Sequence, residues 1–175
     1  MYARVVYESM FGNTAAIAHA IASALSAFGT VEVVEVSAAA AFPAPAVGLL
    51  VVGGPTHAFG LSRVRTRRDA ATRTDADIAI ETGIREWLDA ALPVPAGSRA
   101  AAFGTKVGTP SWLPGSAARG TAKRLRRLGY GLVAAPEDFL VEGMTGPLAP
   151  GEIDRAKIWA ERLAHGSPTS APLSH

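Results

Sequence analysis

Val5-Val6-Tyr7-Glu8-Ser9-Met10-Phe11-Gly12-Asn13-Thr14 carries an apolar strand straight into a small, hydroxyl-rich turn that opens a helix. Backbone N–H groups at a helix start have no partner within the helix and carry partial positive charge. An anion placed there gains hydrogen bonds and a favourable dipole together. Ser9, Asn13 and Thr14 add side-chain donors, and Gly12 allows a ligand close to the main chain. The commoner phosphate signatures are missing: there is no G-x-x-x-x-G-K-[ST], and no G-x-G-x-x-G follows this strand. The loop therefore reads as a phosphate site, but not as that of a nucleoside triphosphatase or a Rossmann dinucleotide enzyme.

Outward from this turn, strand and helix patterns alternate. Ala3 to Tyr7 suits a buried parallel strand, and Ala15 to Phe28 follows with Ile17, Ile21, Leu25 and Phe28 on one helical face, closed by Gly29. Val31 to Val36 is a second strand, and Ser37 to Pro45 reads as a linker or a frayed helix. Val47 to Val52 is uniformly apolar and belongs at the centre of a sheet. Gly53 to Thr82 reads as a long irregular region with at most a short helix, the kind of loop that is usually functional. Ile84 to Leu92 is a helix burying Trp87, Leu88 and Ala91; Ala100 to Phe103 is a fourth strand. Ser116 is a good N-cap for a helix to Leu128, stopped by Gly129. Leu132 to Val141 is a fifth strand interrupted by Pro136, hence at an edge, and Glu152 to Ala164 is the last helix. Residues 1–165 are expected to form one domain, and Gly166 to His175 a disordered Ser/Pro tail.

Five strands separated by helices imply a parallel sheet covered on both faces, with ligands beyond the carboxyl ends of the strands. Three loops should meet there: Glu8 to Thr14, Gly53 to Ser62, and Gly104 to Ser116, all rich in Gly, Ser and Thr.

Ser9-Met10-Phe11-Gly12-Asn13-Thr14 resembles the phosphate loop of the flavodoxin family: a hydroxyl residue, two variable positions, then Gly-x-Thr. The resemblance extends from Val5 to about Leu163. It implies a flavodoxin-like, doubly wound α/β fold, with a five-stranded parallel sheet in the order 2-1-3-4-5 and helices on both faces. It also implies FMN as cofactor, with its phosphate on Ser9 to Thr14 and its ring between the other two loops. Gly53-Gly54-Pro55-Thr56-His57-Ala58-Phe59-Gly60 is similar to the Gly-x-Pro-Thr turn of flavodoxin-like quinone reductases and flavodiiron electron carriers. There Gly53 and Gly54 would let the backbone approach the ring, and Phe59-Gly60 would present a carbonyl to the flavin. Gly104, Thr105, Lys106, Val107 and Gly108 would offer backbone donors to the pyrimidine edge. No tyrosine occupies this third loop, so Phe59, His57 and Trp112 are the candidates for stacking on the ring.

Composition narrows the alternatives. The chain has 175 residues, enough to bury roughly 70% of its unfolded surface. It has no cysteine, so redox chemistry must come from a cofactor and neither disulfides nor thiolate metal sites are possible. The start of the chain reads as a strand rather than a leader, and no apolar run approaches the ~20 residues that span a bilayer, so a cytoplasmic protein without membrane attachment is expected. Lys and Arg number 17 against 15 Asp and Glu, mostly arginine, with no aromatics interleaved as nucleic-acid binding would want. No metal site is expected, because Glu8 lacks neighbouring acids. Gly53-Gly54 stands where a receiver domain needs its aspartate, and G-x-S-x-G is absent. The densest positive run, Arg63 to Asp69, reads most simply as a solvated lid, or else as a dock for an acidic redox partner or NADPH.

Three functions compete: an FMN-binding electron carrier between a reductase and an acceptor, an NAD(P)H-dependent quinone or protoporphyrinogen oxidoreductase, and a binding module that has lost its flavin.

Overall fold

The structure, a computed structural model, describes residues 1–41, 46–57, 60–108 and 114–166. Strand β1 (Tyr2–Tyr7) leads into α1 (Asn13–Leu25), which a 3-10 turn at Ser26–Phe28 prolongs. Strand β2 (Thr30–Glu35) runs directly into α2 (Val36–Ala41), so the expected linker begins as a short helix. Next come β3 (Leu49–His57), β4 (Gly60–Leu61), α3 (Val64–Ala71) and α4 (Ile84–Asp89). The chain continues through β5 (Arg99–Val107), α5 (Ala117–Leu128), β6 (Gly131–Leu132), β7 (Glu137–Val141) and α6 (Glu152–His165).

The sheet runs β2-β1-β3-β5-β6, with β7 also on β5 and the short β4 folded back on β3. All pairings except β3–β4 are parallel. The expected fifth strand is therefore two pieces on one edge, parted at the proline-containing segment that cannot sustain a ladder. With β6 and β7 counted as that strand, the order is the expected 2-1-3-4-5.

Alternation along each strand divides the core. Ala3, Val5, Leu49, Val51, Phe103 and Phe139 face α1 and α6, where Ile17, Ile21, Leu25, Trp159 and Leu163 meet them. Phe103, Phe139 and Trp159 form an edge-on aromatic cluster with centroids 6.0 to 6.5 Å apart. Val6, Leu50, Val52, Ala100 and Ala102 face the opposite way, toward Val36, Ile84, Leu88, Ala117 and Leu125. Helix α5 has the expected ends. The Ser116 hydroxyl accepts from the Arg119 N–H at 3.0 Å, and Gly129 closes the helix at φ 101°.

Several boundaries differ from expectation. β3 and β5 run past their apolar stretches to His57 and Val107, because the parallel ladder between them continues through Pro55 and Thr105. The region from Gly53 to Thr82 accordingly begins with a strand end and a hairpin, holds the allowed short helix as α3, and stays irregular from residue 72 to 82. α4 stops at Asp89, leaving Leu92 exposed. Gly166 is not part of a loose tail but the left-handed cap of α6, while 167–175 lie outside the described residues. No helix among the described residues is long and apolar enough to cross a membrane.

Candidate functional site

A cleft of about 320 Å³ opens where β1, β3 and β5 end. Ser9, Met10, Phe11, Asn13 and Thr14 line it from the first loop, Pro55, Thr56 and His57 from β3, and Thr105, Lys106 and Val107 from β5. All of these belong to the set that the sequence assigned to a shared site from three distant stretches, while Gly12, Gly60, Gly104 and Gly108 of that set do not line the cleft.

The first loop presents hydrogen-bond donors at the head of α1. Gly12 adopts φ 90° as the residue before α1, a conformation costly for any residue with a Cβ, and the space beyond its Cα is open. The Ser9 hydroxyl accepts from the Ala15 N–H at 3.2 Å, which caps the helix and leaves the hydroxyl hydrogen available. Among the described residues, the N–H groups of Met10 to Thr14 have no protein acceptor. Thr14 sits deeper than expected: it is 1% exposed, and its hydroxyl pairs with that of Thr105 at 2.7 Å. One hydrogen of that pair is consumed and one is left for a ligand. Asn13 donates from Nδ2 to the Thr145 carbonyl at 3.2 Å, tying the loop to the segment after β7.

The other walls are held from behind. The Thr56 hydroxyl accepts from the Ala117 N–H at 3.0 Å, joining β3 to the start of α5. Lys106 donates from Nζ to the Gly115 carbonyl at 3.2 Å. His57 is half-buried, and its pKa lies below the ordinary 6.5, first because of burial and then because of the Arg67 charge. Both effects favour the uncharged imidazole.

Five glycines have different roles from those expected. Gly53 and Gly54 are buried inside β3 instead of lining the cleft: a Cβ on Gly53 would lie 2.3 Å from the Phe103 ring. Gly104 is also buried, pressed against Ala118 and Asp138, so it serves packing. Gly108 donates its N–H to the Val141 carbonyl, one of the contacts that extend β5 along β7. Gly60 stands opposite His57 in the β3–β4 hairpin and does not line the cleft. Phe59 and Trp112, two of the candidate stacking residues, lie outside the described residues.

Sequence reasoning missed the fourth wall. Thr66, Asp69 and Ala70 of α3, then Arg73 just beyond it, also line the cleft, together with Val141 and Met144. Behind this wall is a buried polar cluster. Glu8, 2% exposed, accepts from the Ser62 hydroxyl and from the Ile84 N–H at 2.9 Å. Arg67, fully buried, donates to Ser62 at 2.8 Å and to the Ile80 carbonyl, and meets Glu86 at 3.0 Å and Glu8 at 3.9 Å. Burial pushes the Glu8 carboxyl above its ordinary pKa, against the opposing pull of Ser62, Ile84 and Arg67. The expected solvated arginine lid is thus a helix whose central arginine is an internal anchor, while Arg63, Arg65 and Arg68 face solvent. Of the basic residues expected to form a solvated face on α5, Arg119, Lys123, Arg126 and Arg127 are exposed, whereas Arg124 is half-buried and paired with Asp89 at 2.8 Å.

No protein-family model and no curated protein matches the chain. Solved structures do. A flavodoxin from the domain Archaea superposes with TM-score 0.59 at 20% identity, covering 94% of this chain and 97% of that one. Oxidised flavodoxin 2 from Bacillus cereus gives 0.63 at 18%, covering 95% and 100%. Two-electron reduced Megasphaera elsdenii flavodoxin gives 0.56 at 20%, covering 93% and 98%. The fold is that of the flavodoxins. Within the flavodoxin fold the cleft occupies the carboxyl ends of β1, β3 and β5, where the strand order reverses and ligands bind in open α/β sheets.

Proposed function

We propose that this chain binds FMN in the cleft and works as a flavin-dependent redox protein, passing electrons between a reductase and an acceptor. The observation that carries this reading is the row of N–H groups from Met10 to Thr14, without an acceptor among the described residues, at the head of α1 and on the rim of the cleft. The residues present suit the cofactor. Ser9 and the Thr14–Thr105 pair each keep a hydroxyl hydrogen for phosphate oxygens, and Gly12 leaves room for them. Bound FMN supplies the electron-transfer chemistry. The chain contributes the rest: the first loop takes the phosphate, while Pro55 to His57 and Thr105 to Val107 flank the ring and exclude water. Burial and the Arg67 charge both favour the uncharged form of His57 on this wall.

The test is a titration of the purified protein with FMN, read by loss of flavin fluorescence, followed by identification of the flavin released on denaturation. Saturable quenching and release of FMN support the reading; full fluorescence with folded protein overturns it.

A second reading, an FMN-dependent NAD(P)H–quinone oxidoreductase, is favoured by the presence of Arg73 and Lys106 on the cleft wall, where an acceptor or a nucleotide phosphate meets positive charge. Steady-state NADPH oxidation with a quinone separates the two: turnover by the FMN-loaded protein supports the enzyme, and none with flavin bound removes it.

A further inference from the structure

We infer that Arg73 supplies the cation for the anionic end of the ligand, so that the cleft selects a phosphomonoester over its dephosphorylated counterpart. This rests on the FMN reading above and goes beyond it, because the first loop itself offers no cationic side chain.

Arg73 follows the last turn of α3, where its N–H donates to the Ala70 carbonyl at 3.0 Å, and its side chain lines the cleft together with Ser9, Phe11 and Asn13. Its Nη1 donates to the Met144 sulfur at 3.6 Å. Met144 neighbours Thr145, whose carbonyl holds Asn13, the first residue of α1. The guanidinium thereby rests on the segment that also holds the first residue of that helix. A thioether is a weak acceptor, and among the described residues no carboxylate lies within ion-pair distance of Arg73. Its donor fork is therefore unspent, and a planar fork matches two phosphate oxygens. Lys106, the other cation on the wall, already donates to Gly115. Asp69, one turn before Arg73 and also on the wall, is the one acid of the lining and acts against a dianion. The two residues should therefore move affinity in opposite directions.

Arg73 is exposed, so its replacement leaves the core intact. The experiment titrates the wild type, Arg73→Met, Arg73→Lys and Asp69→Asn with FMN and with riboflavin, at low and high salt, following flavin fluorescence. Circular dichroism checks the fold of each. Arg73→Met should weaken FMN about tenfold while changing riboflavin less than about twofold, and should flatten the salt dependence of FMN binding. Arg73→Lys should recover part of the loss, and Asp69→Asn should tighten FMN a few-fold. If Arg73→Met weakens both flavins equally, or neither, the inference is overturned while the FMN reading stands. If the wild type quenches neither flavin, the FMN reading falls and takes the inference with it.

Discussion

The first loop and the cluster beneath it are neighbours in the chain and opposites in chemistry. From Met10 to Thr14 the backbone donors have no acceptor among the described residues, whereas two residues earlier Glu8 is enclosed by Ser62, Ile84 and Arg67. A buried charge is tolerated only when its partners are built around it, and Glu8 and Arg67 meet that requirement across β1, α3 and α4. An outward donor row next to it is stable because water answers it until a ligand does. Polar groups left open and polar groups closed off thus separate what the fold reserves for a ligand from what it uses to hold itself together.

Breaking the closed region should have the largest effect. Arg67→Met strands Glu8 in the interior and removes the contacts to Glu86 and Ile80, so a loss of about 3–5 kcal/mol is expected in urea unfolding. A loss below about 1 kcal/mol would show that the cluster is not the anchor of α3. Altering the open region should cost less stability and more binding. Gly12→Ala forces a side chain into φ 90°, costing about 1–2 kcal/mol, with weakened FMN affinity read in the same titration. Unchanged affinity would remove the loop from the phosphate site. Ser9→Ala deletes only the cap on Ala15, about 1 kcal/mol by thermal unfolding, and one donor to the ligand.

The smallest effect is a matter of pH. The folded chain holds His57 below 6.5, so the unfolded chain binds more protons as pH falls through that value, and stability declines there. Glu8 has the reverse sign: its folded pKa lies above 4.5, so its contribution declines as pH rises from that value. Replacing His57 by Gln should flatten the first slope and leave the second, as measured by urea midpoints across the two windows.

What the sequence made readable was local. The Ser116 cap, the Gly129 stop and the turn at Gly12 each follow from chemistry within a few residues, and all stand where expected. The gathering of three loops followed from the alternation of strands and helices. The length of β3 was not readable, because Pro55-Thr56-His57 has no apolar pattern and is held in the ladder by β5, far along the chain. Gly53 was misassigned for a related reason, since the residue that demands a glycine there is Phe103. Helix α3 went unseen as a wall because its buried anchor is an arginine, which no hydrophobic periodicity reveals.

The two margins of the sheet have one further consequence. At one side β7 is occupied along its outer rim by the returning chain, through the Val141–Leu148 bridge and the Ala149 N–H to Leu140 carbonyl bond. At the other, β2 carries Glu32 and Glu35 along its length. An incoming strand from a second molecule meets backbone already taken at Leu140 and Val141 on the first margin and, on the second, Glu35 and the Arg4–Glu32 ion pair, so edge-to-edge pairing is opposed without any disulfide.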